Sequence, residues 1–238
     1  MLRSFLRTAS LVAIIAIFCT LVSPWFARED HRVTYDKEGR YLPTFSLRYL
    51  AFAMHDYHEK NGALPPHAVF GKNGQPLLSW RVLILPYIEQ EALFRQFKLD
   101  EPWDSPHNLE LLPKMPQVLC PLEPMSHVGS HVTPFQVFVG KGTPFEGRGG
   151  WRFKADLPQT SFTVLIVEAA KLVPWTKPDD INYDENAPLP QFGAFFPGRY
   201  YVAMADGHAR MLRQSDIKEA PLRAAILRSG ANDWPWCE

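Results

Sequence analysis

The apolar positions of this chain change their period along its length. Ala9 to Ala27 is an apolar run broken only by Ser10, Thr20, Ser23 and Pro24. At a helical rise of about 1.5 Å per residue, such a run spans roughly 28 Å, close to the thickness of a hydrocarbon core. Arg3 and Arg7 precede it, and Trp25 and Phe26 close it as interfacial aromatics. A signal peptide has a similar shape, but Trp25 and Pro24 occupy places where cleavage needs small, flexible residues, so the expectation is an uncleaved anchor. The predicted organisation is a cytoplasmic basic head at 1–8, a transmembrane anchor at 9–27, a charged and turn-rich spacer at 28–43, and an extracytoplasmic domain at 44–238. The inner membrane is thus the expected partner of 9–27, with the bulk of the chain outside it, since long domains translocate largely regardless of flanking charge.

From Thr44 the period becomes that of an amphipathic helix. Leu47, Leu50, Ala51, Met54 and Tyr57 recur every three or four residues. Thr44 is the expected cap, Asn61-Gly62 the end, and Pro65-Pro66 forbids continuation. Leu77 to Phe97 reads as helical, with Pro86 early in a helix or at a kink and Glu89 to Phe97 as the better stretch. Asp104-Ser105-Pro106 supplies a capping oxygen and then a first-turn proline, predicting a short helix to about Leu112, stopped by Pro113.

The period then shortens to that of strands: Val118 to Cys120, Phe135 to Val139, Phe162 to Val167, and Tyr200 to Ala205. Asp206-Gly207 predicts a tight hairpin turn, with His208 to Leu212 returning. Asp216 to Leu227 reads as a final helix. Helices first and strands later give an α+β class.

Composition narrows the function classes. Lysine plus arginine and aspartate plus glutamate number 25 each, so the net charge is zero and no nucleic-acid partner is expected. Phosphate-binding and dinucleotide-binding glycine motifs and zinc-binding cysteine pairs are missing, and no cofactor is predicted.

The blocks Leu47–Asn61, Leu78-Ser79-Trp80-Arg81-Val82, Leu85-Pro86-Tyr87-Ile88-Glu89-Gln90, Glu101-Pro102-Trp103-Asp104-Ser105-Pro106-His107-Asn108 and Ala205-Asp206-Gly207 occur in an order that closely resembles the planctomycete family of prepilin-like proteins, domain of unknown function 1559. The resemblance runs over about 44–230, and the motif positions are Trp80, Trp103, Asp104, Ser105, Pro106, His107, Asn108, Asp206 and Gly207. It implies a pseudopilin-like shape, with a membrane-embedded helix leading to an extracytoplasmic domain in which an amphipathic helix packs on an antiparallel sheet. The chain departs from the family in two places. It has no prepilin leader with its glycine and glutamate, and Phe196 stands where the family's carboxyl-terminal signature has a histidine ten residues before Asp206.

The candidate chemistry is sparse. His55 and His58, beside Asp56, share a helix face at metal-ligand spacing, although a polar helix edge explains them as well. Asp104, Ser105 and His107 are triad residue types, but capping accounts for the first two. Glu168 at the end of an apolar strand needs a partner such as Arg81, and Asp206 has the chemistry of a calcium ligand in a common turn. Cys120 and Cys237 form a possible disulfide in an oxidising compartment. Trp103, Trp234 and Trp236 are the candidates for ligand stacking. The expected function is non-enzymatic: a membrane-anchored structural or interaction protein with an unknown envelope partner. The alternatives are an extracytoplasmic solute- or polysaccharide-binding module, and a hydrolase built on Asp104, Ser105, His107 or Glu168.

Overall fold

A computed structural model describes residues 43–119, 131–152, 158–194 and 196–230. The predicted basic head (1–8), the predicted anchor (9–27) and all but the last residue of the predicted spacer (28–43) lie outside the described residues, as do Cys120, Cys237, Trp234 and Trp236. No helix among the described residues is long and apolar enough to cross a membrane.

Helix α1 spans Thr44–Asn61. Its buried positions include Leu47, Leu50, Ala51 and Met54, so the stripe read from the sequence is the face that packs. Gly62, at φ 75°, ends the helix by donating its N–H to the His58 carbonyl, a left-handed geometry that glycine adopts without strain. Thr44 does not cap the start: Pro43 holds that place, and no side chain caps the helix.

The region after α1 corrects the expectation of helix over Leu77 to Phe97. Strand β1 (Ala68–Phe70) pairs antiparallel with β2 (Pro76–Ser79), which takes Leu77 and Leu78 into a hairpin. One-turn helix α2 (Trp80–Leu83) follows, capped by the Ser79 hydroxyl. A 3₁₀ turn over Leu85–Ile88 starts with Pro86 near its first position and stops at Glu89, whose φ is 60°. Helix α3 covers Glu91–Phe94 and α4 covers Pro106–Leu109. Pro86 has no N–H to give, so one long helix breaks into turns. Pro113 does not stop α4; it lies inside a separate 3₁₀ turn, Leu112–Lys114. Val118 and Leu119 belong to another 3₁₀ turn, Gln117–Leu119, rather than a strand.

The sheet occupies the second half. β3 (Val132–Gln136) and β4 (Phe138–Val139) are separated at Val137. β5 (Val164–Pro174) is the longest strand; β6 (Ile181–Asn182) pairs parallel with β4; β7 (Arg199–Met204) and β8 (Ala209–Arg213) form the hairpin anticipated at Asp206-Gly207. Gly207 has φ 87°, as that turn requires. The main sheet is antiparallel, in the order β3-β5-β7-β8. Pro134 falls on the edge strand β3, where the register shifts between Thr133 and Phe135 and a missing N–H breaks no ladder.

Alternation along β7 divides the core. Tyr201 and Ala203 pack on the α1 side with Leu47, Leu50 and Met54. Tyr200, Val202 and Met204 face helix α5 (Glu219–Ile226), which buries Leu222, Ala225 and Ile226 against them. The molecule is therefore a helix–sheet–helix sandwich, with the turns of 77–119 extending the core on the α1 side.

Candidate functional site

The motif block at 101–108 is built around one amide. Asn108 is fully buried. Its Nδ2 donates to the carbonyls of Lys98 at 3.0 Å, Pro102 at 3.1 Å and Glu101 at 3.3 Å. Its Oδ1 accepts from the Lys98 N–H at 3.1 Å, so both ends of the amide are used. The Ser105 hydroxyl caps α4 by accepting the Asn108 N–H at 3.2 Å, and Pro106 opens the helix. His107 Nε2 lies 2.8 Å from the Gln96 carbonyl, and Asp104 is exposed. The triad residue types are thus adjacent in sequence but turned to separate tasks: the Ser105 hydroxyl serves the Asn108 backbone and the Glu101 carboxylate. Trp103 is half-buried. Its N–H donates to the Leu77 carbonyl at 2.8 Å, and Lys177 Nζ lies 5.7 Å from its ring centre.

A second polar centre lies deeper. Arg81 is fully buried at the start of α2, and its guanidinium stacks 4.8 Å from the Trp80 ring centre. Nε and Nη2 both donate to the Phe135 carbonyl, at 2.9 and 2.6 Å. Nη1 donates to the Ser79 hydroxyl at 2.5 Å. Nη2 also pairs with Asp180 Oδ1 at 2.8 Å, with side-chain exposures of 0% and 1%. The same Oδ1 accepts from Trp80 Nε1 at 3.2 Å and from the Val137 N–H at 3.1 Å, which supplies the donor freed where β3 breaks from β4. Burial pushes the Asp180 carboxyl above its ordinary value; the Arg81 charge and the two N–H donors oppose that push. Around this pair Asp180 Oδ2, His67 Nδ1 and Thr176 Oγ1 are buried without partners among the described residues. Burial lowers the His67 pKa, countered by Asp180 and by a bond to the Phe145 carbonyl. A pair so enclosed meets no ligand at the surface, and its geometry is that of a clamp between β2–α2 and β3–β6.

Arg81 therefore answers to Asp180, not to Glu168 as anticipated. Glu168 lies inside β5 rather than at its end, and its Oε2 accepts the Tyr201 N–H at 3.1 Å. Past Val167, β5 leaves β7 and takes residues 191–193 as its neighbour: the Gly193 N–H donates to the Glu168 carbonyl and the Ala170 N–H to the Gln191 carbonyl. The Glu168 carboxylate fills the fork between these partners.

His55 and His58 do not converge on a third ligand; among the described residues no group of three histidine, cysteine or acidic side chains is placed to hold a metal ion. Burial lowers the His55 pKa, partly offset by a bond to the Ala205 carbonyl, and its ring meets Phe52 edge-on at 6.5 Å. Asp206 is partly buried, which alone would raise its carboxyl; the His208 N–H, the Ser161 hydroxyl and the His208 ring hold it below its ordinary value. Its Oδ1 accepts the His208 N–H at 3.0 Å, and the turn needs no cation to explain that carboxylate. Phe196 is buried and edge-on to Tyr201 at 5.8 Å. Trp80 belongs to the clamp, while Trp175 is buried against Phe97 at 5.7 Å.

A groove of about 880 Å³ lies between residues 186–192, the start of β7 and α5. Leu189, Phe192, Ile217 and Leu222 give it apolar walls. Arg223 on its rim is spent on Glu219 at 2.6 Å and the Ala187 carbonyl at 2.7 Å.

Residues 46–159 match the model of a family described as a protein of unknown function, DUF1559. The match supports the DUF1559 family. It covers Asn108 with its staple, and it takes in Arg81 but not Asp180. The curated proteins and the solved structures contain no match to the chain.

Proposed function

We propose that this chain is a membrane-anchored, extracytoplasmic structural or interaction protein of pseudopilin-like type. The observation that carries the reading is the placement of α1. An amphipathic helix laid on an antiparallel sheet begins at Thr44, directly after a sequence that reads as basic head, apolar anchor and charged spacer. The motif residues Ser105 and Asn108 support it as well, because their polar groups are spent on holding the backbone. The prepilin-like features of the family and a planctomycete origin belong to the same proposal. Treatment of intact cells with a membrane-impermeant protease, followed by amino-terminal sequencing of the mature chain, tests it. An accessible domain that keeps Met1 or Leu2 is the expected result; a released chain starting near Arg28 overturns the anchor. A second reading, an extracytoplasmic binding module for a polysaccharide, draws on Trp103, whose half-exposed ring has Lys177 beside it. Loss of polysaccharide retention in Trp103→Ala would favour it.

A further inference from the structure

Strand β8 is an edge of the main sheet. The hydrogen-bond pattern of its hairpin shows which groups look outward. Met204 N–H donates to the His208 carbonyl, and Gln214 N–H to the Gly198 carbonyl. With the register Val202↔Arg210 and Tyr200↔Leu212, the inward-facing backbone of β8 is that of residues 208, 210, 212 and 214. The N–H and carbonyl groups of Ala209, Met211 and Arg213 therefore point away from β7, and no other strand pairs with them among the described residues.

This edge is basic. Arg210 and Arg213 lie on β8, and Arg199 lies directly opposite Arg213. Two like charges so placed repel each other. None of the three arginines forms an ion pair among the described residues, and Arg210 Nε is buried without a partner. The nearby acids are committed elsewhere: Asp206 to His208, Asp216 to the Ser215 hydroxyl, Glu219 to Arg223. Met211 adds an exposed apolar side chain between the charges, at 39% exposure.

We propose that the outer edge of β8 is a docking strand for an extended acidic segment of a partner protein. The segment would add a strand to the sheet, pairing with the backbone of Ala209, Met211 and Arg213. Its carboxylates would neutralise Arg213 and Arg199, which share the α1 face of the sheet; Arg210 lies on the opposite face. A second copy of β8 fits this edge less well, because it brings the same positive charges to the same place. The inference does not rest on the membrane anchor.

The test uses the full-length chain in detergent and a fluorescein-labelled, end-blocked heptapeptide alternating glutamate and valine. Fluorescence anisotropy should show saturable binding that weakens with salt, and the lysine–valine counterpart should not bind. Met211→Pro removes an outward N–H and the exposed Met211 side chain but no bond to β7, so it should leave the β7–β8 hairpin intact and weaken binding by about tenfold or more, equal to about 1.4 kcal/mol. Arg213→Glu, at an exposed site, should do the same with a melting temperature no lower than the parent's, because it also removes the repulsion with Arg199. A peptide N-methylated along one edge leaves the protein untouched and should also bind about tenfold more weakly. Equal binding of the methylated peptide, or no binding of the acidic one, overturns the proposal. So does self-association that Met211→Pro abolishes without any binding of the acidic peptide.

Discussion

Arg81 and Asn108 are both fully buried polar side chains, and the fold satisfies them in opposite ways. Asn108 is neutral, and all its side-chain partners lie within ten residues, between Lys98 and Pro102. Arg81 carries a charge and reaches Phe135 and Asp180, 54 and 99 residues away. The local amide leaves nothing over, whereas the distant ion pair leaves Asp180 Oδ2, His67 Nδ1 and Thr176 Oγ1 unpartnered around it. The difference shows what each centre is for. A short loop can be shaped around one amide until every group is met. A clamp between distant segments fixes their relation first and tolerates the polar groups that end up beside it.

The sharpest way to break the comparison is to remove one charge. Arg81→Met should cost about 3–5 kcal/mol, since it strands a buried carboxylate. The double variant Arg81→Met, Asp180→Leu should recover much of that loss in urea denaturation, because an apolar pair needs no charge compensation. A double variant no better than the single one would mean that the ion pair is not the source. For the amide, Asn108→Ala should cost about 2–3 kcal/mol through the backbone groups it leaves unmet. Asn108→Asp should be no better, because a carboxylate has nothing to donate to three carbonyls.

Acid should separate the two centres further. Burial lowers the pKa of both His67 and His55. The unfolded chain takes up these protons near pH 6.5, while the folded chain resists them, so stability is fullest above about pH 6.5 and falls as pH drops below it. The slope is at most about 1.4 kcal/mol per pH unit for each ring. Urea midpoints measured at pH values from about 7.5 to 5.5 should fall less steeply in His67→Gln than in the parent chain. An identical slope would exclude His67 as the carrier. The smallest effect concerns an orphan with no charge. Burial raises the Tyr200 pKa, and its hydroxyl has no partner among the described residues. Tyr200→Phe should be neutral or raise stability by up to about 1 kcal/mol, read from the melting temperature.

The elements legible in the sequence are those whose signals are local. The α1 stripe and Gly62 are both contained in one stretch of chain, and so is the Asp206-Gly207 hairpin. Leu77 to Phe97 misled because an apolar run without a clean period fits strand and helix alike, and pairing with β1 decided its start. Ser105 and Pro106 were readable as a helix start, but the staple made by Asn108 needs coordinates. Arg81 was legible only as an example of a partner for Glu168. Its true partner was not, since spacing carries no information across 99 residues and the chain offers many acids. His67 and Thr176 gave no signal at all. Each is an ordinary residue brought to the clamp by a backbone bond to Trp80 or Ser79.

The clamp also has a consequence for the order in which the chain is made. The family match ends at residue 159, before β5, β7 and Asp180. A chain emerging from its amino terminus presents Arg81 long before its counter-ion exists, and closing so large a loop is slow. Until Asp180 arrives, the helical part holds a guanidinium that favours water over the core. The first half is therefore kept open while the second is being synthesised. A fragment cut at the family boundary should remain exposed to proteases, however well its own helices are written.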